Sequence, residues 1–394
     1  MHARRRRLGW APWVILGLAA AGPAAAQEPA QPDSTAPAEK GLMLTPFVAP
    51  GYTPEQGALL TAGALVSFRT RPELISGALS ELVQRSTITL NASYSTTGAF
   101  TFNVDLASYW SGDRLRIFTK FGLKDMPDHY WGVGIEAGKA PEGDSTTAYQ
   151  RTSLVLMPKV LWRVRPDVYV GGLLDLNRTV ASEVSPGMAA DPYYQAFGPE
   201  NSNVGIGAIF QYDTRDIAAN AWGGLFLSAQ ATAYGGLGGD NDYEVYDLEY
   251  RQYHQVGRPG RTLAWTARSR LAYGDVPWAE LSQVGSGTDL RGYRQGRYRD
   301  KAMLYAILEY RHQFRNEKRP TGLSRHGLVG WGGAGSVGND VRGFDQWLPN
   351  WGVGYRLEVQ PRMSVRVDVG FGREYLDSGN KFVPSVYFGF TEAY

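Results

Sequence analysis

Apolar and polar residues alternate with a period of two along most of the chain after residue 42. In residues 363–371 every second side chain is apolar, and the residues between are small or charged. Residues 351–359 repeat the pattern, and only Gln360, Pro361 and Arg362 separate the two segments. This alternation predicts strands with one apolar and one polar face, and so short a connection predicts a hairpin.

Sixteen such segments can be recognised. They lie near residues 42–50, 57–69, 86–95, 98–110, 113–123, 148–164, 166–178, 202–213, 222–234, 244–256, 261–274, 301–315, 325–336, 348–360, 363–373 and 382–392. An even number of amphipathic strands is typical of an antiparallel barrel whose first and last strands meet, with lipid outside and water inside. We therefore predict an all-β fold, a 16-stranded antiparallel transmembrane β-barrel.

The connections alternate in length along the chain. Short turns near residues 111–112, 165–166 and 361 belong to one rim, which we expect to be periplasmic. Longer loops near 124–147, 179–201 and 275–300 belong to the extracellular rim. Residues 71–84 fit a short amphipathic helix at the periplasmic rim about as well as a plain loop.

The amino-acid composition of the chain narrows the kinds of function that it can have. The chain has 11 Trp, 23 Tyr, 15 Phe and 48 Gly, which suits membrane-spanning strands with aromatic girdles. The absence of cysteine excludes disulfides, thiolate metal sites and thiol nucleophiles. The four histidines after the first 26 residues are scattered and suggest no pairing with a serine, so we expect no enzyme and predict no metal or cofactor site.

The first residues are typical of a secretory signal. Arg4–Arg7 form a cationic start, residues 13–21 an apolar core, and Ala24–Ala26 a small-residue cleavage site. We predict a signal peptide at 1–26, a Pro/Ala-rich linker at 27–41 and the barrel at 42–394. Removing the four arginines leaves 40 − 4 = 36 basic against 38 acidic residues, so no nucleic-acid-binding surface is predicted.

The carboxyl end adds a targeting feature. Val386, Phe388 and Phe390 alternate toward the aromatic Tyr394. A terminal amphipathic strand of this kind is what barrel assembly machinery reads. We therefore expect export to the outer membrane of a Gram-negative cell, with that machinery and outer-membrane lipids, including lipopolysaccharide, as partners.

Leu290-Arg291-Gly292-Tyr293 lies in the long loop near 275–300. It resembles the Val-Arg-Gly-Phe/Tyr hallmark of the BamA/TamA outer-membrane assembly-factor superfamily, also called the bacterial surface antigen family. Four more segments resemble that family's barrel in the same order, so the resemblance extends from about residue 42 to Tyr394. These segments are residues 212–216, 308–311, 365–368 and 389–394.

The resemblance implies that this loop folds into the lumen, where its arginine pairs with acidic residues on lumen-facing positions. Strand parity makes Glu309 the first candidate partner of Arg291 and Asp368 the second. A guanidinium can bind carboxylates through two parallel hydrogen bonds, Gly292 permits a sharp turn, and Tyr293 is expected to stack beside the arginine. From the residues alone, an exposed arginine with surface ion pairs is the alternative.

Two departures from the family pattern stand out. The family's thirteenth strand usually supplies an aspartate to this cluster, but Gly333 stands at that position here, so the expected lock is weaker or rests on Glu309 alone. Residues 27–41 are also too few for a periplasmic polypeptide-transport-associated domain, which implies a barrel-only member. Either a separate periplasmic partner protein replaces that domain, or the barrel has a different role.

The resulting expectation is an outer-membrane assembly or translocation factor that handles proteins or lipids without catalysis. Charged lumen positions such as Asp105, Arg116 and Lys120 keep a passive solute channel open as an alternative. An accessory subunit of an envelope complex is the third possibility.

Overall fold

The computed structural model describes residues 41–53, 57–70, 84–376 and 379–394. The predicted signal peptide, nearly all of the predicted linker, and all but the last residue of the candidate helix at 71–84 lie outside these residues. Within the described part, one sheet contains sixteen strands, each hydrogen-bonded antiparallel to its neighbours in chain order. They are β1 (Leu42–Thr53), β2 (Gly57–Phe68), β3 (Ser86–Ser95), β4 (Phe100–Trp110), β5 (Leu115–His129), β6 (Ala148–Arg165), β7 (Val168–Ser182), β8 (Glu200–Asp213), β9 (Gly224–Gly239), β10 (Tyr243–Gln255), β11 (Arg261–Gly274), β12 (Ala302–Arg315), β13 (Leu323–Gly338), β14 (Leu348–Gln360), β15 (Met363–Glu374) and β16 (Lys381–Phe390).

The all-β, sixteen-stranded architecture predicted from the alternation is confirmed. Trp351 and Val353 of β14 are 50% and 58% exposed, whereas the lumen-facing Arg356 is buried. Trp351 lies opposite Phe371 of β15, and their rings stack 4.3 Å apart on the outer face. Among the described residues no helix is long and apolar enough to cross a membrane.

The two ends of the sheet overlap instead of pairing. Among the described residues, the backbone ladder does not continue from β16 to β1. The ring of Phe390, an outward-facing position of β16, lies 4.2 Å from that of Phe47, an inward-facing position of β1. The end of β16 therefore lies on the inner side of β1. We call this junction of β1 and β16 the seam.

Side chains join the strands around the seam where the backbone does not. Gln360 at the end of β14 donates from Nε2 to Thr45 Oγ1 at 2.8 Å and to the Leu65 carbonyl at 3.2 Å. Its Oε1 accepts a hydrogen bond from Ser67 Oγ at 2.5 Å. One glutamine thus links the periplasmic end of β14 to β1 and β2.

The long loops that follow β5, β7 and β11 pack together as a dome. The loop after β7 forms two short helices, α1 (Pro186–Ala189) and α2 (Pro192–Phe197). Trp278 Nε1 donates to the Gly198 carbonyl at 2.9 Å, and the Tyr130 hydroxyl donates to Asp191 Oδ1 at 3.0 Å. Burial, with help from the Asp191 carboxylate, raises the pKa of the Tyr130 phenol, so this hydroxyl remains a donor.

A second cluster lies at the periplasmic end of the lumen. Asp213 at the end of β8 accepts hydrogen bonds from Arg116 of β5 at 2.7 Å and from Arg215 at 2.8 and 2.9 Å. The guanidinium of Arg116 lies 3.7 Å from the ring centroid of Tyr169 of β7. The cluster joins three strands that are not all neighbours.

Asp213→Asn should strongly destabilise the barrel, because it leaves two buried arginines without their shared carboxylate. Breaking a buried pair in this way costs about 3–5 kcal/mol. The matched control is Glu200→Gln, which removes an ion pair of similar length, 2.6 Å, whose side chains are 57% and 50% exposed. That change should cost about 0–1 kcal/mol. Urea unfolding in lipid vesicles, followed by tryptophan fluorescence, measures both, and equal losses would contradict the assignment.

Candidate functional site in the barrel lumen

The loop between Gly274 and Ala302 carries the hallmark motif into the lumen. Its two arms pair where Ser282–Gln283 meets Arg299–Asp300. Asp289 organises the turn, because its Oδ1 accepts hydrogen bonds from the backbone N–H of Gly285 at 2.8 Å and of Ser286 at 2.7 Å. Residues 290–293, the loop tip, follow directly and are all buried.

Gly292 holds the tip against β15. Its φ is +118°, and a Cβ at this position would lie 2.4 Å from the backbone of Phe371 and Gly372. Any side chain here would therefore be strained and would push the tip away from the strand. The approach is mutual, since a Cβ on Gly370 would lie 2.5 Å from the Arg291 carbonyl oxygen.

Arg291 is fully buried and binds both carboxylates predicted from strand parity. Its Nη2 donates to Glu309 Oε2 and its Nη1 to Asp368 Oδ2, each at 2.8 Å. Burial alone would lower the pKa of Arg291, but the two carboxylates raise it above its ordinary value. The predicted stacking of Tyr293 on this arginine is wrong, because the Trp331 ring occupies that place, 3.5 Å from the guanidinium carbon.

Tyr293 has a different role, which is to fasten the tip to neighbouring strands. Its hydroxyl donates to the Pro349 carbonyl at 2.6 Å and accepts a hydrogen bond from the Arg373 N–H at 3.1 Å. The Tyr387 hydroxyl of β16 accepts a hydrogen bond from the Gly292 N–H at 3.0 Å. The tip is thus tied to β14, β15 and β16.

Asp368 is the centre of the charge network. Besides Arg291, it receives Arg356 Nη1 at 2.5 Å and Arg366 Nη1 at 2.8 Å. All four side chains are 6% exposed or less. A single buried carboxylate thus compensates part of three guanidinium charges, which requires further acids nearby.

Glu309 and the residues after β16 supply those acids. Arg311 Nε donates to Glu309 Oε1 at 2.7 Å, and Arg356 Nε donates to Glu392 Oε2 at 2.7 Å. Arg311 Nη2 also donates to the main-chain oxygen of Tyr394 at 2.8 Å. The complete set, here called the lumen network, contains four arginines (291, 311, 356 and 366) and three carboxylates (309, 368 and 392).

Comparison with known proteins assigns the chain to a family. A family model described as an Omp85 superfamily domain matches residues 84–371, which is well over half of the chain. The chain belongs to the Omp85 superfamily. The resemblance derived from the motifs is thereby confirmed, and the protein is an outer-membrane β-barrel.

Solved Omp85-type barrels agree with the fold. BamA from Haemophilus ducreyi lacking POTRA domains 1–3 is 13% identical, with a TM-score of 0.56, over 90% of this chain and 70% of that one. CdiB from Acinetobacter baumannii is 11% identical, with a TM-score of 0.50, over 90% of this chain and 60% of that one. Identities this low show the fold alone. A sequence search of curated proteins finds no match.

This Omp85 barrel meets its ion-pairing requirement without an acid on β13. Gly333 faces the lumen opposite Ile307, and a Cβ there would lie 2.3 Å from the Ala306 carbonyl oxygen. No carboxylate fits at this position without displacing β12. The expectation that Arg291 would be held by Glu309 alone is wrong, because Asp368 of β15 supplies the second carboxylate.

The predicted assembly signal is divided between two faces of the barrel wall. Val386 and Phe388 are 38% and 45% exposed on the outer face, whereas Tyr394 is buried in the lumen beside Leu290 and Tyr305. Recognition by barrel assembly machinery remains a prediction.

Sequence reasoning missed several participants of the site, among them Trp331, Arg356 and Arg366. The signal for the two arginines was present, since both have the same strand parity as an acid already chosen, Asp368. Two lumen-facing arginines beside one acid indicate a shared partner. For Trp331 the pattern offered no such signal, because its neighbours on β13 are glycines.

Arg291→Ala should release the loop tip from the lumen wall, since it removes the one guanidinium of the tip that binds both Glu309 and Asp368. The free energy that holds the tip in place should fall by about 3–5 kcal/mol. This loss corresponds to at least about a hundredfold faster amide exchange in residues 285–297. Arg291→Lys should give an intermediate increase, because an ammonium cannot reach two carboxylates with fixed geometry. Hydrogen–deuterium exchange measures this, with Arg342→Ala on an exposed loop as the control. Unchanged exchange in Arg291→Ala would show that the ion pairs do not hold the loop.

Proposed function

We propose that this chain is an outer-membrane factor that aids the insertion or transport of proteins, without catalysis. The observation that carries the proposal is the Arg291 loop, fixed by Glu309 and Asp368 inside a barrel whose seam lacks a backbone ladder. Membership in the Omp85 superfamily supports it. A cleaved signal at 1–26, a linker at 27–41 and a separate periplasmic partner protein form part of the proposal.

The seam is the place where the barrel opens at the lowest cost. Each backbone hydrogen bond contributes about 0.5–1.5 kcal/mol net, and every other neighbouring strand pair has a ladder of them. At the seam the strands are held by contacts such as Phe47 with Phe390 and by the hydrogen bonds of Gln360. Opening there exposes two strand edges, and an exposed edge is a template for a strand of another protein. Edge pairing favours protein clients over lipids.

Cross-linking the seam should abolish activity if clients pair there. The chain contains no cysteine, so Phe47→Cys with Phe390→Cys and a short bifunctional thiol reagent fixes β1 to β16. The matched control joins Asn91→Cys to Asn103→Cys, two directly paired lumen positions on the hydrogen-bonded strands β3 and β4. Insertion of an unfolded eight-stranded barrel protein into vesicles should fall at least tenfold with the first cross-link and remain normal with the second.

The same question can be asked in cells. Depletion of the protein should lower the abundance of its client proteins in the outer membrane, and the seam-linked variant should not restore them. If the abundance of every other barrel protein and the lipid asymmetry both stay unchanged on depletion, the proposal fails.

Planar-bilayer recording distinguishes the proposal from a passive channel. The dome and the buried loop predict small, erratic currents for the intact protein. Of the lumen charges that suggested a channel, Arg116 is paired, because it binds Asp113 and Asp213. The lumen carboxylate of Glu358 is likewise paired with Arg319. Deleting residues 285–300 should raise the conductance severalfold. A steady open pore in the intact protein would favour the channel instead.

A further inference from the structure

A polar cavity lies between the buried loop and the barrel wall. Its volume is about 330 Å³, and its lining comes from β4, β5, β6, the loop and β16. The polar and charged residues that matter here are Thr101, Asn103, Lys124, Arg151, Arg294 and Tyr387. This cavity is separate from the lumen network, none of whose seven charged side chains lines it.

Lys124 brings a charge to this cavity that the described residues do not compensate. It makes no hydrogen bond or ion pair with any residue of the described ranges. The nearest acid in the lining, Asp128, already accepts hydrogen bonds from Arg151 Nη1 at 3.3 Å, the Tyr149 hydroxyl at 3.0 Å and the His129 N–H at 2.8 Å. The lysine ammonium therefore faces a cavity in which Asp128, the one carboxylate that the described residues contribute to the lining, is already hydrogen-bonded.

The balance of charge in the lining is positive. Three cations, Lys124, Arg151 and Arg294, face one acid, Asp128, so the formal sum is 3 − 1 = +2. Asp128 pairs with Arg151, and Glu142 pairs with Arg294 from outside the lining. Of these three cations, Lys124 is the one for which the described ranges provide no ion pair. A cation in a confined lumen, away from bulk water, is costly unless an anion accompanies it.

The position of the cavity points to the source of that anion. Lys124 lies nine residues from the periplasmic start of β5 at Leu115. With a rise of about 3.3 Å per residue and a tilt of about 40°, this places it roughly 23 Å up an apolar band about 25 Å tall. The lining also includes Val386, which is on the lipid-facing side of β16. The cavity thus reaches the seam strand near the headgroup level of the outer leaflet.

We propose that this cavity binds a phosphate-bearing ligand, with Lys124 as the principal contact and Arg151 and the Thr101 hydroxyl beside it. Lysine and arginine are the side chains that hold phosphate oxygens, and the volume exceeds what a simple halide needs. The phosphate can belong to a phosphorylated glycolipid of the outer leaflet or to free phosphate, and the location beside the seam favours the lipid. The site would exist whether or not the chain assembles proteins.

Native mass spectrometry of the intact purified protein tests this, with three probes: lipid A carrying its phosphates, the same lipid after dephosphorylation, and inorganic phosphate. Lys124→Met should weaken binding of the phosphorylated probe about ten- to a hundredfold, the loss expected for one charge-assisted hydrogen bond. The control is Lys159→Met, a lumen lysine outside the cavity whose ammonium already donates to Gln230 at 2.8 Å. It should bind like the unchanged protein.

A chemical rescue separates charge from folding. Lys124→Cys should lose binding, and aminoethylation of this single cysteine should restore it, because the product carries an ammonium at nearly the same distance. Lys124-dependent binding of phosphorylated lipid A, or of inorganic phosphate alone, supports the site and identifies its source. Binding that is equal for the dephosphorylated lipid, or indifferent to Lys124, overturns it, as does the absence of any binding.

Discussion

The buried guanidinium of Arg291 is the constraint on which the lumen depends. A charge removed from water is tolerated only when carboxylates surround it with good geometry, and here Glu309 and Asp368 both approach to 2.8 Å. These two acids lie on strands β12 and β15, so the loop can occupy only the position where the Arg291 guanidinium reaches both carboxylates. The pinned loop then fills the middle of the lumen and supports the dome above it.

The same ions connect the loop to the seam. Arg356 binds Asp368 with Nη1 and Glu392 with Nε, so one side chain joins the loop's acid to the residues after β16. The Thr391 N–H donates to the Ser364 carbonyl at 2.8 Å, which turns the chain into the lumen. β16 is therefore drawn inward, with Phe390 beneath Phe47, and the missing ladder between β16 and β1 is consistent with that pull.

Period-two parity could predict the strands, their faces and both acids that hold Arg291, because each depends on local alternation alone. It could not predict which side chains fill the lumen between the inward-facing sides of the strands. The Trp331 ring reaches the guanidinium because Gly352 opposite it lacks a side chain, and a Cβ there would lie 2.2 Å from that ring. Such a contact needs the register of two strands and the path of a loop. The packing of the long loops into a dome could not be predicted either, because the sequences of these loops have no period-two pattern.

The place of the second acid shows why a motif is not the whole site. A carboxylate stabilises a guanidinium according to distance and burial, not according to which strand carries it. Position 333 has no room for a side chain, because a Cβ there would lie 2.3 Å from the Ala306 carbonyl oxygen, and the acid is provided from β15 instead. Asp368 is thereby on the strand next to β16. An acid at this place shares Arg356 with Glu392, so the loop and the residues after β16 are held by one set of charges.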